Sequence, residues 1–185
     1  MRRDLVVRAQ AGDHAAFSEL AAAAIGGLYR VAHLILRDRD LSNDAVQTAL
    51  ISAWRDLRGL RDPDRFDAWL YRLTVRACHR SARTERRRSV TEIELLPSHD
   101  ASTADDTRTV IARDQLERGF RRLSTDQRAA LVLHFYLDLP LAEAAETMGI
   151  PTGTMKSRLN RATQALRAAL DANERGAVVT KEGIA

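Results

Sequence analysis

A single cysteine, Cys78, excludes an intrachain disulfide and fits a reducing compartment. Prolines are scarce, four in 185 residues, and no stretch alternates apolar and polar side chains as a half-buried strand does. Long apolar runs are also missing. The opening Met1-Arg2-Arg3-Asp4-Leu5-Val6-Val7-Arg8 lacks a core of signal-peptide length. The Ala21 to Tyr29 run falls far short of the roughly 20 residues that span a bilayer. The expectation is a cytoplasmic protein with no membrane insertion. His14, His33, His79, His99 and His134 show no metal-ligand spacing with one another or with Cys78. Gly-rich phosphate loops, Walker motifs and nucleophile elbows are absent as well. No enzyme activity, metal, cofactor or small-molecule substrate is therefore expected.

What remains is rich in alanine, leucine and arginine, an all-helical composition. The net charge of +4 and a pI near 9.8 make a polyanion such as nucleic acid a reasonable partner. The first segment reads as helices with broad apolar faces through Phe17, Leu20, Ala21, Ala24, Leu28 and Val31. Gly12-Asp13-His14 and Gly26-Gly27 interrupt or loosen them, and Arg37-Asp38-Arg39-Asp40 reads as a polar turn. Ser42 or Asn43 is expected to cap the next helix, with Asp44 in its first turn. Ala45, Val46, Ala49, Leu50, Ala53, Trp54 and Leu57 would line its buried side. Asp44, Gln47, Thr48, Ile51 and Arg55 form the opposite stripe. An isoleucine inside a polar stripe is either a stray exposed side chain or a contact with a partner.

After a loop at 58–65, Phe66 to about Arg83 reads as a helix apolar on two sides. Phe66, Trp69, Leu70, Leu73 and Ala77 make one side, and Tyr71, Val75, Cys78 and Ala82 the other. Between them runs Arg72, Arg76, His79, Arg80 and Arg83. From Arg72 to Arg88 seven arginines face one acid, Glu85, a net +6. An arginine-rich edge on a helix held from two sides suits nucleic acid better than simple solvation. Residues 89–109 turn acidic and lose periodicity, which reads as a flexible linker. The domains are thus expected at 1–88 and 110–172, with a polar tail at 173–185.

In the second domain Leu116, Phe120 and Leu123 continue a helix, and Ser124-Thr125-Asp126-Gln127 reads as a capping box. Ala129 to Tyr136 reads as a buried helix. Leu141, Ala144, Ala145 and Met148 then fall at i, i+3, i+4 and i+7, followed by Gly149 at a helix end. Thr152 is a candidate N-cap for a second helix, with Met155, Leu159, Ala162 and Leu166 as its apolar stripe. Ser157, Asn160, Arg161 and Gln164 lie opposite, flanked by Lys156 and Arg158. From Ile150 to Leu170 there is no acid, only Lys156, Arg158, Arg161 and Arg167. This is a helix-turn-helix pattern whose second helix would enter a DNA major groove. The fold class is therefore all-α, two small helical domains with a helix-turn-helix in the second.

Taken together these segments resemble the extracytoplasmic-function (ECF, group IV) sigma factors of the sigma-70 family. Leu123-Ser124-Thr125-Asp126-Gln127-Arg128 is similar to the start of that family's carboxy-terminal domain, and Gly149 through Leu159 to its minus-35-reading segment. Asp44-Ala45-Val46-Gln47 with Ala53-Trp54-Arg55 resembles the core-polymerase-binding helix, and Phe66 through Leu73 the start of the minus-10 helix. The chain departs from the family pattern at Thr48, usually an acid, at Leu50, usually phenylalanine, and at Pro140-Leu141, usually a polar cap. The resemblance implies an alternative sigma factor that binds core RNA polymerase and directs promoter recognition. Asp44, Gln47, Thr48, Ile51 and Arg55 would dock on the polymerase. Arg72, Arg76, His79, Arg80 and Arg83 would hold the single-stranded minus-10 element, and the 58–65 loop would form a pocket for an extruded base. Lys156, Ser157, Arg158, Asn160 and Arg161 would read the duplex minus-35 element. An anti-sigma factor is a further possible partner. The alternatives are a stand-alone helix-turn-helix regulator, which needs neither the second basic edge nor the Asp44 stripe, and a sigma-like mimic, which would lack basic reading faces.

Overall fold

The computed structural model describes residues 2–89 and 119–182, with side chains from Arg2 to Arg87 and from Gly119 to Asp171. All the regular elements among them are helical. The chain divides into two compact units.

The first unit contains α1 (Arg2–Gln10), α2 (His14–Leu36), α3 (Arg39–Asp56), two 3₁₀ turns at Leu57–Gly59 and Pro63–Arg65, and α4 (Phe66–Ser89). Val6, Leu20, Leu28, Val31, Ile35, Ala49, Leu57, Phe66 and Leu70 are sealed from solvent. Burying a side chain of the larger of these types is worth about 1.5–3 kcal/mol. Asp13 caps α2 by accepting from the Ala16 amide, and Arg8 pairs with the same carboxylate at 2.7 Å. The Ala16 amide first, and then Arg8, hold the Asp13 carboxyl below its usual range. By length and composition α2 could cross a membrane, but its apolar face meets α1, α3 and α4 instead.

Three local expectations are corrected here. The glycine pair does not interrupt α2, which runs unbroken through Gly26 and Gly27. A Cβ at Gly27 would overlap the Tyr71 hydroxyl, so the tip of that ring occupies the space a side chain here would take. The polar turn is shorter than expected: Arg37 alone takes the left-handed conformation, at φ 61°, with its amide on the His33 carbonyl. The cap of α3 is Asp38, which accepts from the Leu41 amide at 2.8 Å, not Ser42 or Asn43. Ser42 is buried inside the helix with its hydroxyl donating back to the Asp38 carbonyl, and Asp44 lies beyond the first turn.

In the second unit a last helical turn at 119–121 leads to α5 (Thr125–Leu131), a π-helical continuation at Val132–Tyr136, α6 (Leu141–Met148) and α7 (Thr152–Glu182). The capping box is present in full: the Ser124 hydroxyl accepts from the Gln127 amide, and the Gln127 side chain from the Ser124 amide at 2.8 Å. Leu123, Leu131 and Ala162 form a core cluster, with Phe120, Leu159, Ala165 and Leu166 packed against it. Arg128 is buried here, donating to the carbonyls of Leu123 (3.0 Å) and Phe120 (3.4 Å) and to the Thr125 hydroxyl (3.3 Å). It thereby closes this carbonyl end, adding to the Leu123 amide on the Phe120 carbonyl and engaging the Leu123 carbonyl. Arg128→Ala is expected to destabilise this unit by about 2 kcal/mol, because a charged, buried donor set is lost while its acceptors stay. Thermal melting followed by circular dichroism would show it, and an unchanged transition would count against the closing role.

The helix expected from Ala129 to Tyr136 is buried only in part. Ala129 to Leu133 are buried, but Phe135 and Tyr136 are exposed. The cause is the π turn, in which the Leu137 amide bonds to the Val132 carbonyl at 2.9 Å, five residues back, and so shifts the helical register. Thr152 is the first helical residue of α7, not its cap; the first bond runs from the Met155 amide to the Pro151 carbonyl. That helix continues past Ala172 to Glu182 where a polar tail was expected, since the added residues include Ala, Glu, Arg and Lys and no proline. The linker expected at 89–109 lies outside the described residues, apart from Ser89 at the end of α4. The helix expected through 110–118 lies outside them too.

Candidate nucleic-acid interface

On α3 the apolar side meets the core, where Ala45, Val46, Ala49, Ala53 and the adjoining Leu57 are buried. Asp44, Gln47, Thr48, Ile51 and Arg55 are all exposed on the other side. Ile51 is 68% exposed, more than any other large apolar residue among those described. Arg55 pairs with its neighbour Asp56 at 3.0 Å, which raises the guanidinium pKa and lowers the carboxyl's. This surface is therefore an apolar point in a polar stripe.

On α4 the buried residues Phe66, Leu70, Val75, Ala77 and Cys78 fix the helix in place. Burial pushes the Cys78 thiol up to about 12, so it stays protonated and unreactive. Arg76, Arg80 and Arg83 stand exposed on the remaining edge, while Arg72 and His79 are half-buried. The row is thus not presented evenly.

Beside Arg72 lies a cavity of about 180 Å³, lined by Leu60, Arg61, Asp62, Arg65, Ala68, Trp69 and Arg72. An apolar cavity of about 150 Å³ takes a benzene ring, so this one has room for a single planar ring. Its wall comes partly from the 58–65 loop and partly from α4. Asp62 shapes the loop by accepting from the Asp64 amide at 3.0 Å and pairing with Arg65 at 3.7 Å. Trp69 was read from the sequence only as a core residue; its spacing of i, i+3 to Arg72 was the available signal that it shares the cavity wall.

In the helix-turn-helix, Gly149 takes φ 65° and closes α6 with two bonds, Gly149 amide to Glu146 carbonyl and Ile150 amide to Ala145 carbonyl, both 3.1 Å. Ala144 and Ala145 of α6 are buried, as are Met155 and Ala162 of α7. Lys156, Ser157, Asn160 and Arg161 project from the opposite face and are exposed. Ser157 donates to the Thr154 carbonyl at 2.9 Å, and Arg161 reaches back to the Ser157 carbonyl and hydroxyl at 3.4 Å. Those two side chains therefore act as one polar unit. Arg158 differs: it is half-buried and pairs with Asp126 at 3.3 Å. Its guanidinium ties α7 to the first turn of α5 rather than standing free on the reading face.

No group of three metal-ligating side chains occurs among the described residues. The available chemistry is cationic and polar hydrogen bonding, plus stacking on one tryptophan.

Residues 20–88 match the model for sigma-70 region 2, and residues 113–166 the model for sigma-70 region 4. The chain is 32% identical over 160 residues to the ECF RNA polymerase sigma factor SigM of Mycobacterium tuberculosis, covering 86% of this chain and 79% of that protein. It is 29% identical to the RNA polymerase sigma-H factor of Pseudomonas aeruginosa, covering 91% and 93%. Among solved structures it is similar to CnrH in complex with the cytosolic domain of CnrY, with a TM-score of 0.59, 28% identity, and coverage of 92% and 97%. It shares its fold with the sigma factor RpoE of Bartonella quintana, solved with the anti-sigma factor NepR, at a TM-score of 0.64 and 24% identity over 84% and 96%.

Proposed function

Because this chain belongs to the ECF RNA polymerase sigma factors of the sigma-70 family, we propose that its three exposed surfaces divide the work of starting transcription. The protein is an alternative sigma factor: it binds core RNA polymerase and promoter DNA and directs transcription initiation. It works in the cytoplasm, by binding alone, and catalyses no reaction of its own.

Asp44, Gln47, Thr48, Ile51 and Arg55 dock on the polymerase, with Ile51 as the apolar anchor of a polar contact. Arg72, Arg76, His79, Arg80 and Arg83 hold the non-template strand of the minus-10 element. The cavity beside Trp69 takes one extruded base, whose loss of stacking in the duplex costs a few kcal/mol that a new stacking partner offsets. Lys156, Ser157, Asn160 and Arg161 contact the minus-35 duplex, and Arg158 positions their helix through Asp126 while reaching the backbone at most. An anti-sigma protein would hold the factor inactive by covering α3, the surface with the exposed isoleucine.

The observation that carries this reading is the pair of basic faces, one on each unit, together with an exposed α3 stripe whose one acid, Asp44, and one base, Arg55, cancel, and which a duplex-binding regulator does not need. Run-off transcription with core polymerase tests it. Addition of the protein should produce promoter-dependent transcripts, whereas a stand-alone regulator would leave core polymerase unable to initiate.

In the second unit, Ser157→Ala and Arg161→Ala should each change base preference at the minus-35 element by about tenfold, the worth of one good side-chain-to-base contact. Arg167→Ala should weaken binding on all sequences alike. Competition binding on duplexes with single substitutions reads this out; equal losses on every sequence would reduce the pair to phosphate contacts.

A further inference from the structure

The residues matched to region 2 begin at position 20, so α1 lies outside them. Yet α1 is tied from both of its ends to the stretch from Leu57 to Asp67 that carries the cavity loop. Near its start, Arg2 pairs with Asp67 and Arg3 with Asp64. At its last residue, the Gln10 side-chain amide donates to the Leu57 carbonyl at 3.1 Å and to the Leu60 carbonyl at 2.7 Å.

The two kinds of tie differ in weight. The arginine pairs join side chains about half exposed or more, where water screens the attraction. Gln10 is half-buried, and its one amide group bridges both ends of the 3₁₀ turn at 57–59. Leu60 has left helical geometry there, at φ −71° and ψ 107°, and it belongs to the cavity wall. At Leu60 the backbone is held by its own amide bond to the Leu57 carbonyl at 3.1 Å and by the Gln10 amide on its carbonyl.

We propose that Gln10 is a positioning residue for base selection, holding the Leu57–Leu60 turn so that the cavity beside Trp69 keeps the shape that admits one unpaired base. This rests on the reading of that cavity as the base pocket. Gln10 touches no DNA; it acts through the loop.

The test uses the full chain bound to core polymerase and a pool of short, random-sequence single-stranded DNA. Wild type should enrich one base at one position by about tenfold, the selectivity of a pocket that meets the edge of an extruded base as well as its face. Gln10→Ala should flatten that one position to near twofold and leave enrichment elsewhere in the strand unchanged. Gln10→Lys, which restores a donor in reach of both carbonyls, should recover the preference. A merely structural role would instead lower enrichment at all positions together, and lysine would not rescue it; that pattern overturns the proposal. Full preference retained in Gln10→Ala overturns it too, while leaving the pocket reading intact. If wild type selects no base at any position, the pocket reading falls and the proposal with it.

Discussion

Replacing Arg76 and Arg80 together by alanine is expected to lower promoter opening about 100-fold while core-polymerase binding stays within twofold. Each residue stands exposed on the outer edge of α4. Surface changes of this type usually shift stability by less than about 0.5 kcal/mol. Their value to function comes from rigidity. The helix beneath them is fixed by Phe66, Leu70 and Cys78, all buried, so the guanidinium groups are presented in a set row one helical turn apart. A fixed guanidinium grips a phosphate or stacks on an unpaired base without first losing its own freedom. At about 1.5 kcal/mol for each charge-assisted hydrogen bond lost, two losses together give a factor of roughly 100. Permanganate reactivity of thymines near minus 10 reads the opening. A pre-melted bubble template should restore part of the transcription, since the cost of unpairing has then been met. Normal opening by the double mutant would reduce the edge to a solvated face.

Gln47→Ala combined with Ile51→Asp should weaken core-polymerase binding by about 100-fold and leave helicity unchanged. Ile51 is two-thirds exposed among polar neighbours, so the free protein gains nothing from it. Placed against a partner, an aspartate there removes the apolar anchor and takes a carboxylate out of water, at a cost of several kcal/mol. The fold tolerates the change for a local reason. The new carboxylate would stand four residues before Arg55, a spacing that favours an i,i+4 pair on the helix surface. Affinity measured with labelled protein and core enzyme gives the result, and an unchanged dissociation constant would remove α3 from the docking assignment.

The sequence by itself determined the helical class, the two-sided packing of α4 and the helix-turn-helix. Each is a matter of period and punctuation: apolar residues at i, i+3, i+4 and i+7, and a glycine whose φ of 65° a side chain would resist. Exposure of the Asp44 stripe and of Lys156, Ser157, Asn160 and Arg161 followed from the same arithmetic, because a residue opposite a core stripe has nowhere else to point. Tertiary structure decided what period cannot encode. Ser42 looked like a cap, but Asp38 sits nearer the true start of α3, and the buried serine returns its hydroxyl to the Asp38 carbonyl. Arg158 lies on the flank of the same arc of α7, and Asp126, far earlier in the chain, pairs with its guanidinium. Phe135 and Tyr136 looked buried, and one π turn moved them into solvent. Gly27 looked like a weak point in α2, and is instead where the Tyr71 hydroxyl needs room. The tie from Gln10 to the wall of the cavity beside Trp69 joins residues 47 and 50 positions apart, and only packing of α1 against the loop brings them together. Local pattern fixes which way a side chain faces along its own helix, while the partner it meets there is set by how the helices cross.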